Sequence, residues 1–148
     1  MIVFRYVLSK EDTPASKLFI KSSENRDHFE VSPESLVIIK KVADRLEADG
    51  GFALIADYGH NGNGTDTFRA FRKHKLHDAL IEPGTADLTA DVDFHRLAHS
   101  ASEAGGVICL GPKAQRDFLL NMGIEHRFRA LEENVKPELK EGLQYGYK

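Results

Sequence analysis

The feature that most constrains the fold is a short, uninterrupted apolar run near the centre of the chain. The run covers residues 52–56 and reads Phe-Ala-Leu-Ile-Ala, between the pair Gly50 and Gly51 and the polar sequence that begins at Asp57. A strand with one face in water alternates apolar and polar residues, whereas a continuous run is typical of a strand covered on both faces. The sequence therefore predicts a central strand of a layered sheet.

The segment before this run carries the signals of an amphipathic helix. Ser32 suits the N-cap, Pro33 suits the first helical position, and apolar residues recur at helical spacing from there to the glycine pair. A second helix is predicted to begin after Asp93 and to end at another pair of glycines, with a short buried strand over residues 107–110. Helices that alternate with buried strands indicate the α/β fold class.

The two ends of the chain give weaker patterns. Apolar residues alternate over residues 2–8, which predicts a half-buried strand, and antiparallel ribbons are expected over residues 17–22 and 27–31. Pro112 is predicted to open a helix that Gly123 closes. A weaker amphipathic stretch and a polar tail complete what we interpret as one domain without repeats.

The composition indicates a globular domain and disfavours two classes of partner. The 148 residues are 41% hydrophobic, and 20 basic against 23 acidic side chains give a net charge of -3. This balance supplies no broad field for nucleic acid or an anionic membrane, and no apolar run approaches the roughly 20 residues of a membrane span. The N-terminus lacks the pattern of a targeting segment. The single cysteine, Cys109, lies in an apolar stretch and is expected to be a buried structural thiol.

Chemistry is expected at the carboxyl end of the central strand, because open α/β sheets bind ligands in the crevice formed there. Asp57 and Tyr58 occupy that end, and the Gly-rich turn His-Asn-Gly-Asn-Gly follows over residues 60–64. The glycine spacing matches neither known phosphate-binding motif, and no lysine follows the turn. A flexible strand exit is therefore favoured over a phosphate cradle.

The histidines offer a possible metal site. His74 and His77 are three residues apart, between the Gly-rich turn and an acidic run, while His95 and His99 are four apart on a predicted helix. A zinc hydrolase is thus conceivable. However, Arg96 stands where a metalloprotease helix carries its general base, so solvated histidines on a helix face are favoured.

The acidic run contains three aspartates, Asp87, Asp91 and Asp93, within seven positions. Each could simply accept backbone N–H groups, at a turn or at the start of the next helix. Carboxylates at the mouth of a cleft could instead hold a planar guanidinium by bidentate hydrogen bonds, which would suit an arginine substrate. Spacing alone favours capping and leaves guanidinium binding open.

Several longer motifs now carry a family resemblance. Five motifs occur along the chain in this order: Gly-Gly-Phe-Ala-Leu-Ile-Ala-Asp-Tyr-Gly, Asp-Thr-Phe-Arg-Ala-Phe, His-Lys-Leu-His-Asp, the acidic run, and Gln-Arg-Asp-Phe-Leu-Leu-Asn-Met-Gly-Ile. In this the chain resembles the MidA-like family, whose members are S-adenosylmethionine-dependent protein arginine methyltransferases that assist the assembly of mitochondrial respiratory complex I. The resemblance extends from the first predicted strand almost to the end of the chain.

The resemblance implies a class I methyltransferase fold, Rossmann-like, with a mostly parallel sheet and helices on both faces. Residues 52–57 are similar to its fifth strand, residues 1–31 would be a β-ribbon insertion, and residues 32–148 would be the C-terminal half of the catalytic domain. The family's glycine-rich cofactor loop and its ribose-binding acidic residue would lie upstream of the matched segment. We therefore expect a partial domain that is inactive alone.

The activity implied is symmetric dimethylation of an arginine on a complex I subunit, with S-adenosylmethionine as cofactor, in the mitochondrial matrix. On this hypothesis Asp87, Asp91 and Asp93 line the substrate side and bind the guanidinium. The side chains expected nearby are His74, His77, Asp57 and Tyr58. A noncatalytic interaction module derived from the enzyme remains the alternative.

Overall fold

The computed structural model describes residues 2–103 and 105–147, which form two compact units with the boundary after Pro112. The first unit holds three helices and five short strands, and the second holds three helices. The helices of the first unit are α1 (Pro14–Phe19), α2 (Pro33–Asp49) and α3 (Phe94–Ser102). Its strands are β1 (Gly59–His60), β2 (Arg69–Arg72), β3 (Lys75–His77), β4 (Asp87–Thr89) and β5 (Val92–Asp93).

Helices α2 and α3 begin where their capping residues predict, which confirms both helices. The Ser32 side chain accepts a hydrogen bond from the backbone N–H of Ser35 at 3.4 Å, and the Asp93 side chain accepts one from the N–H of Arg96 at 3.1 Å. Gly50 has a φ of 73° and ends α2, and its N–H donates to the Leu46 carbonyl. Local sequence signals thus fix both helices.

The core of the first unit lies between α2 and α3. Buried side chains from the two helices meet there, and partly buried ones surround them. Because most of the buried residues are alanines, the helices approach closely and the volume of the core is small. The buried residues are Ile39, Ala43 and Ala101, with Val42, Leu97 and Val107 packed against them.

The strands form two small sheets. β2 lies between β3 and β4 in an antiparallel sheet, and Ala70 at its centre is fully buried, paired with His77 on one side and Leu88 on the other. β1 and β5 pair in parallel, with Gly59 opposite Val92. The observed architecture is mixed α/β.

The second unit consists of α4 (Gln115–Asn121), α5 (Ile124–Asn134) and α6 (Pro137–Tyr147). The aromatic rings of Phe128 and Tyr147 stack with their centroids 4.2 Å apart and join α5 to α6. The predicted polar tail is therefore helical, and the helix expected from Pro112 begins at Gln115. Among the described residues, no helix is long and apolar enough to cross a membrane.

The structure does not form the predicted central strand. Residues 52–56 have no regular secondary structure, and the side chains of Phe52 and Leu54 are 91% and 66% exposed. Residues 107–110, predicted as a second buried strand, are also irregular, and Cys109 is exposed rather than buried. A strand exists only when a neighbour completes its hydrogen-bond ladder, and the described residues place no neighbour beside either run.

The predicted N-terminal ribbons are also wrong. Thr13 caps α1 by accepting a hydrogen bond from the N–H of Ser16, so residues 17–19, part of a predicted ribbon, are helical. Residues 27–31 form no strand. The alternation over residues 2–8 yields a single antiparallel bridge, between Val3 and Ile81. Here a capping signal outweighs a weak alternating pattern.

Candidate functional site

The parallel pair β1–β5 joins two of the segments where chemistry was predicted. The N–H of Val92 donates to the carbonyl of Tyr58 at 2.8 Å, and His60 lies opposite Asp93 in the ladder. Gly59 packs so closely against Val92 that a side chain at this position would collide with it. The residues that leave the apolar run therefore lie beside the end of the acidic run.

Asp91 is already bound to a guanidinium of the same chain. One of its carboxylate oxygens lies 2.6 Å from Nη2 of Arg69, and the two side chains are 24% and 31% exposed. The backbone N–H of Asp91 donates to the hydroxyl of Thr67 at 2.9 Å. The carboxylate of Asp91 thus binds a guanidinium by a charge-assisted hydrogen bond, but this guanidinium belongs to the same chain.

Asp93 holds the start of α3 and a second arginine. Besides accepting from the backbone N–H of Arg96, its carboxylate lies 3.3 Å from Nε of the Arg96 side chain. The capping role that the spacing favoured is the one the structure has for Asp93. Asp57 accepts a hydrogen bond from the N–H of its neighbour Tyr58, and both side chains are exposed.

Asp87 and His77 lie on opposite faces of the antiparallel sheet. Asp87 pairs with Phe71, and His77 pairs with Ala70. Cross-strand partners share a face, and successive residues of β2 point to opposite faces. The two side chains therefore do not converge on one pocket. The Nε2 atom of His77 is buried and has no hydrogen-bond partner among the described residues.

His74 lies at the tip of the hairpin between β2 and β3, not in a crevice. It follows Lys73, and the two residues have φ values of 60° and 50°. Positive φ at both central positions defines a type I′ turn, which favours glycine at the second position. The exposed imidazole of His74 thus sits on strained backbone at the surface.

Replacing His74 by glycine is expected to stabilise the chain by about 1 kcal/mol, because glycine adopts the left-handed region without steric cost. The measurement is urea unfolding of the 148-residue chain. His99→Gly is the matched control, since it places glycine inside α3 and should destabilise by about 1 kcal/mol. A loss of stability in His74→Gly would contradict the turn assignment.

The Gly-rich turn is closed by a side chain from the N-terminal segment. The Arg26 guanidinium donates through Nη1 to the carbonyls of Gly62 and Gly64, at 3.1 Å and 2.8 Å. A side chain at Gly64 would collide with the His60 ring, so the interior of the turn is already filled. The backbone carbonyls face a cation of the same chain, as expected for a structural turn.

Arg26 is itself held by a carboxylate and an aromatic ring. Its Nη2 lies 2.6 Å from Glu24, and its guanidinium lies 4.6 Å from the centroid of the Phe29 ring. The Arg96 guanidinium also lies over this ring, at 4.8 Å. The hydrogen bonds from Arg26 lower the pKa of Glu24 to about 2, and Glu24 in turn raises the pKa of Arg26.

Glu30 joins the same N-terminal segment to the sheet. Its carboxylate accepts hydrogen bonds from the backbone N–H groups of Thr67 and Phe68, at 3.1 Å and 2.9 Å, and a short one from the Thr67 hydroxyl. Thr67 also binds the N–H of Asp91. A continuous set of contacts therefore runs from Glu30 through Thr67 to Asp91.

The sequence of the first unit matches a described protein family. Residues 3–113 match a family described as "Putative S-adenosyl-L-methionine-dependent methyltransferase". The chain belongs to this methyltransferase family. The matched segment corresponds closely to the first compact unit, which ends at Pro112. The MidA-like resemblance is thereby confirmed.

Curated relatives extend the similarity to nearly the whole chain. The chain is 50% identical to protein arginine methyltransferase NDUFAF7, mitochondrial, of Danio rerio, 51% to that of Homo sapiens and 50% to the homologue of Drosophila melanogaster. Each similarity covers 97% of this chain but 33%, 32% and 33% of the respective relative. The chain thus spans about a third of the length of these methyltransferases.

The family name implies S-adenosylmethionine, and the Gly-rich turn does not fit it. A cofactor cradle at a glycine turn offers free backbone N–H groups and open space. Here His60 fills the space beside Gly64, and the N–H of Gly62 donates to Nδ1 of His60 at 3.2 Å. The described part of this turn supplies no site for the cofactor, and we assign it no step of methyl transfer.

The histidines predicted to lie on a helix face do so. His95 and His99 are exposed on α3, and His99 lies 3.6 Å from Glu103. Across residues 2–103 and 105–147, no three His, Cys, Asp or Glu side chains are grouped as a metal site would require. The positions of the histidines therefore give no support to the zinc hydrolase alternative.

The depressed pKa of Glu24 predicts an acid-sensitive contact. The carboxylate has a pKa of about 2 when folded against an ordinary 4.5, so its stabilisation is present above pH 4.5 and is lost as the pH falls towards 2. Urea midpoints measured between pH 6 and pH 2.5 should fall less steeply in Glu24→Gln than in the unmodified chain. Glu34→Gln, on the exposed first turn of α2, should change the slope less than Glu24→Gln does. Parallel curves for Glu24→Gln and the unmodified chain would contradict this contact.

The residues that organise this site were not predicted from the sequence. These residues are Arg26, Glu30, Arg69 and Thr67, and the last two lie in the Asp-Thr-Phe-Arg-Ala-Phe motif that carries the family resemblance. Their partners are 22 to 38 residues away in sequence. In the sequence, Arg26 and three acidic residues, Glu24, Asp27 and Glu30, lie within five positions of Phe29, and this cluster was the available signal.

Proposed function

We propose that this chain is part of an S-adenosylmethionine-dependent protein arginine methyltransferase of mitochondria. The observation that carries the proposal is the sequence identity of 50% and 51% to enzymes of that name over 97% of the chain. The substrate would be an arginine of a respiratory complex I subunit, dimethylated symmetrically, as the MidA-like resemblance implies. Methyl transfer would belong to the whole domain, of which this chain supplies one part.

Under the same proposal, each of two helices and the apolar run that follows it would form a helix–strand unit of a Rossmann-like domain. Helix α2 leads through two glycines into residues 52–56, and α3 leads through two glycines into residues 107–110. Such units supply a helix layer and strands of a parallel sheet in doubly wound folds. Residues from 32 onward would therefore form the C-terminal half of the catalytic domain.

We assign the aspartates different roles within this proposal. Asp91 and Asp93 would fix the side chains that line the substrate side of the cleft, since each already contacts an arginine of the chain. Asp87 is exposed and would be free to meet the guanidinium of a substrate. His77, whose Nε2 has no partner among the described residues, is the next candidate, whereas His74 would have no catalytic role.

A chimera tests the proposed function. Residues 3–113 of this chain would replace the matched segment of the human relative, and transfer of labelled methyl groups from S-adenosylmethionine to protein arginine would be measured. The proposal predicts transfer within about tenfold of the parent enzyme. The control carries the same graft with Asp87→Asn, which should lower transfer while leaving the unfolding midpoint unchanged.

A folded but inactive chimera would contradict the proposal. That result would favour the alternative, a noncatalytic interaction module that keeps a binding surface of the enzyme. The exposed apolar runs are the observation that keeps this second function in view.

A further inference from the structure

The two apolar runs expose side chains that normally lie inside a protein. Phe52, Leu54 and Ile55 are 91%, 66% and 47% exposed, and Ile108 and Leu110 are 87% and 92% exposed. Neither run contains a charged residue. Contiguous exposed apolar side chains of this kind mark an interaction surface.

The main chain of both runs is also available for pairing. Within the described residues, no backbone hydrogen bond involves residues 52–56 or residues 108–110. Free N–H and C=O groups along an apolar segment provide the template on which another strand can pair. The partner of this surface must therefore supply β-strands, because apolar side chains alone would leave the N–H and C=O groups unpaired.

Both runs leave the same helix layer. Helices α2 and α3 pack together, and Gly106, just after α3, lies so near Glu47 in α2 that a side chain there would collide with it. Val107 packs into the core formed by the two helices. The starts of the two runs are thus anchored close together, and their continuations are free.

From these observations we infer that residues 52–56 and 107–110 form a docking surface for the part of a methyltransferase domain of the same family that lies outside these 148 residues. The inference rests on the proposed function. The relatives are about three times as long as the chain, so about two thirds of their sequence lies outside the matched segment. A run that is apolar at every position requires cover on both faces, which a parallel sheet with helix layers provides.

Binding between two polypeptides tests this surface. The full 148-residue chain would be co-expressed with the human relative from which the matched third has been deleted, and the affinity of the purified pair would be measured by calorimetry. We expect a one-to-one complex. Leu54→Asp and Ile108→Asp should each weaken binding at least tenfold, because a charge would be buried between sheet and helices. Leu8→Asp is the control, since Leu8 is 99% exposed and lies outside both runs.

Labelling of Cys109 gives a second readout that does not depend on affinity. This thiol lies in the second run and is exposed in the chain. Maleimide labelling, with the site located by mass spectrometry, should be at least tenfold slower in the complex than in the chain alone. Hydrogen exchange of the amides over residues 52–56 should slow in parallel.

Four outcomes would overturn the inference: no association, insolubility of the deleted relative despite co-expression, unchanged labelling of Cys109 in the complex, or self-association of the chain through these runs in place of the complex. Failure of the proposed function is distinguishable from these. A complex with protected runs but no methyl transfer supports the surface and contradicts the activity. An active chimera in which Cys109 is labelled as fast as in the chain alone would support the activity and contradict the docking surface.

Discussion

Replacing Glu30 by alanine is expected to lower the free energy of unfolding of the chain by about 3 kcal/mol. The carboxylate accepts from two backbone N–H groups and one hydroxyl, and its loss leaves the part-buried donors of Thr67 and the exposed N–H of Phe68 without this acceptor. Hydrogen bonds to a charged group are worth about 1.5 to 3 kcal/mol each, and their effects overlap here. Urea unfolding of the full chain is the measurement.

Two variants make the Glu30 result specific. Glu30→Gln retains an acceptor oxygen and should cost less than half as much. Glu34→Ala removes a carboxylate from the exposed first turn of α2 and should cost about 0.5 kcal/mol, through its interaction with the helix dipole. If Glu30→Ala and Glu34→Ala proved equal, Glu30 would not join the N-terminal segment to the sheet.

Replacing Asp91 by alanine is expected to cost about 2 kcal/mol of stability and to lower methyl transfer in the chimera. The change leaves the Arg69 guanidinium, which is 31% exposed, without its partner at 2.6 Å. Arg69→Ala should cost a similar amount. The double variant should cost less than the sum, with a coupling energy of about 1 kcal/mol.

The coupling separates two roles for Asp91. A carboxylate that positions Arg69 gives a stability loss and a measurable coupling energy. A carboxylate that binds substrate directly gives neither, because its partner is absent from the free protein. Unchanged stability in Asp91→Ala together with lost methyl transfer would therefore contradict the positioning role.

The parts of the fold that the sequence predicted are those governed by local chemistry. Ser32 and Asp93 cap their helices through hydrogen bonds to residues three positions ahead, and the pattern of apolar residues completes each helix. The capping role of Asp93 could be predicted for the same reason. Thr13 gave an equally local signal for α1 that the alternating pattern obscured.

The parts that the sequence did not predict depend on distant partners. Residues 52–56 have the composition of a buried strand, but a strand is completed by neighbours that the described residues do not place there. The links from Arg26 to Gly64 and from Glu30 to Phe68 each span 38 residues, so no spacing rule finds them. The residues that follow the apolar run pair with the segment next to Asp91, but neither this pairing nor the contact of Asp91 with Arg69 follows from the sequence.

Reconstitution of methyl transfer from two polypeptides tests whether this chain supplies part of a methyltransferase domain. Labelled S-adenosylmethionine and an arginine-containing protein substrate would be added to this chain, to the human relative lacking the matched third, and to the two together. We expect transfer to arginine by the pair and none by either polypeptide alone. Transfer by the 148-residue chain alone, or none by a pair shown to be bound, would contradict this expectation.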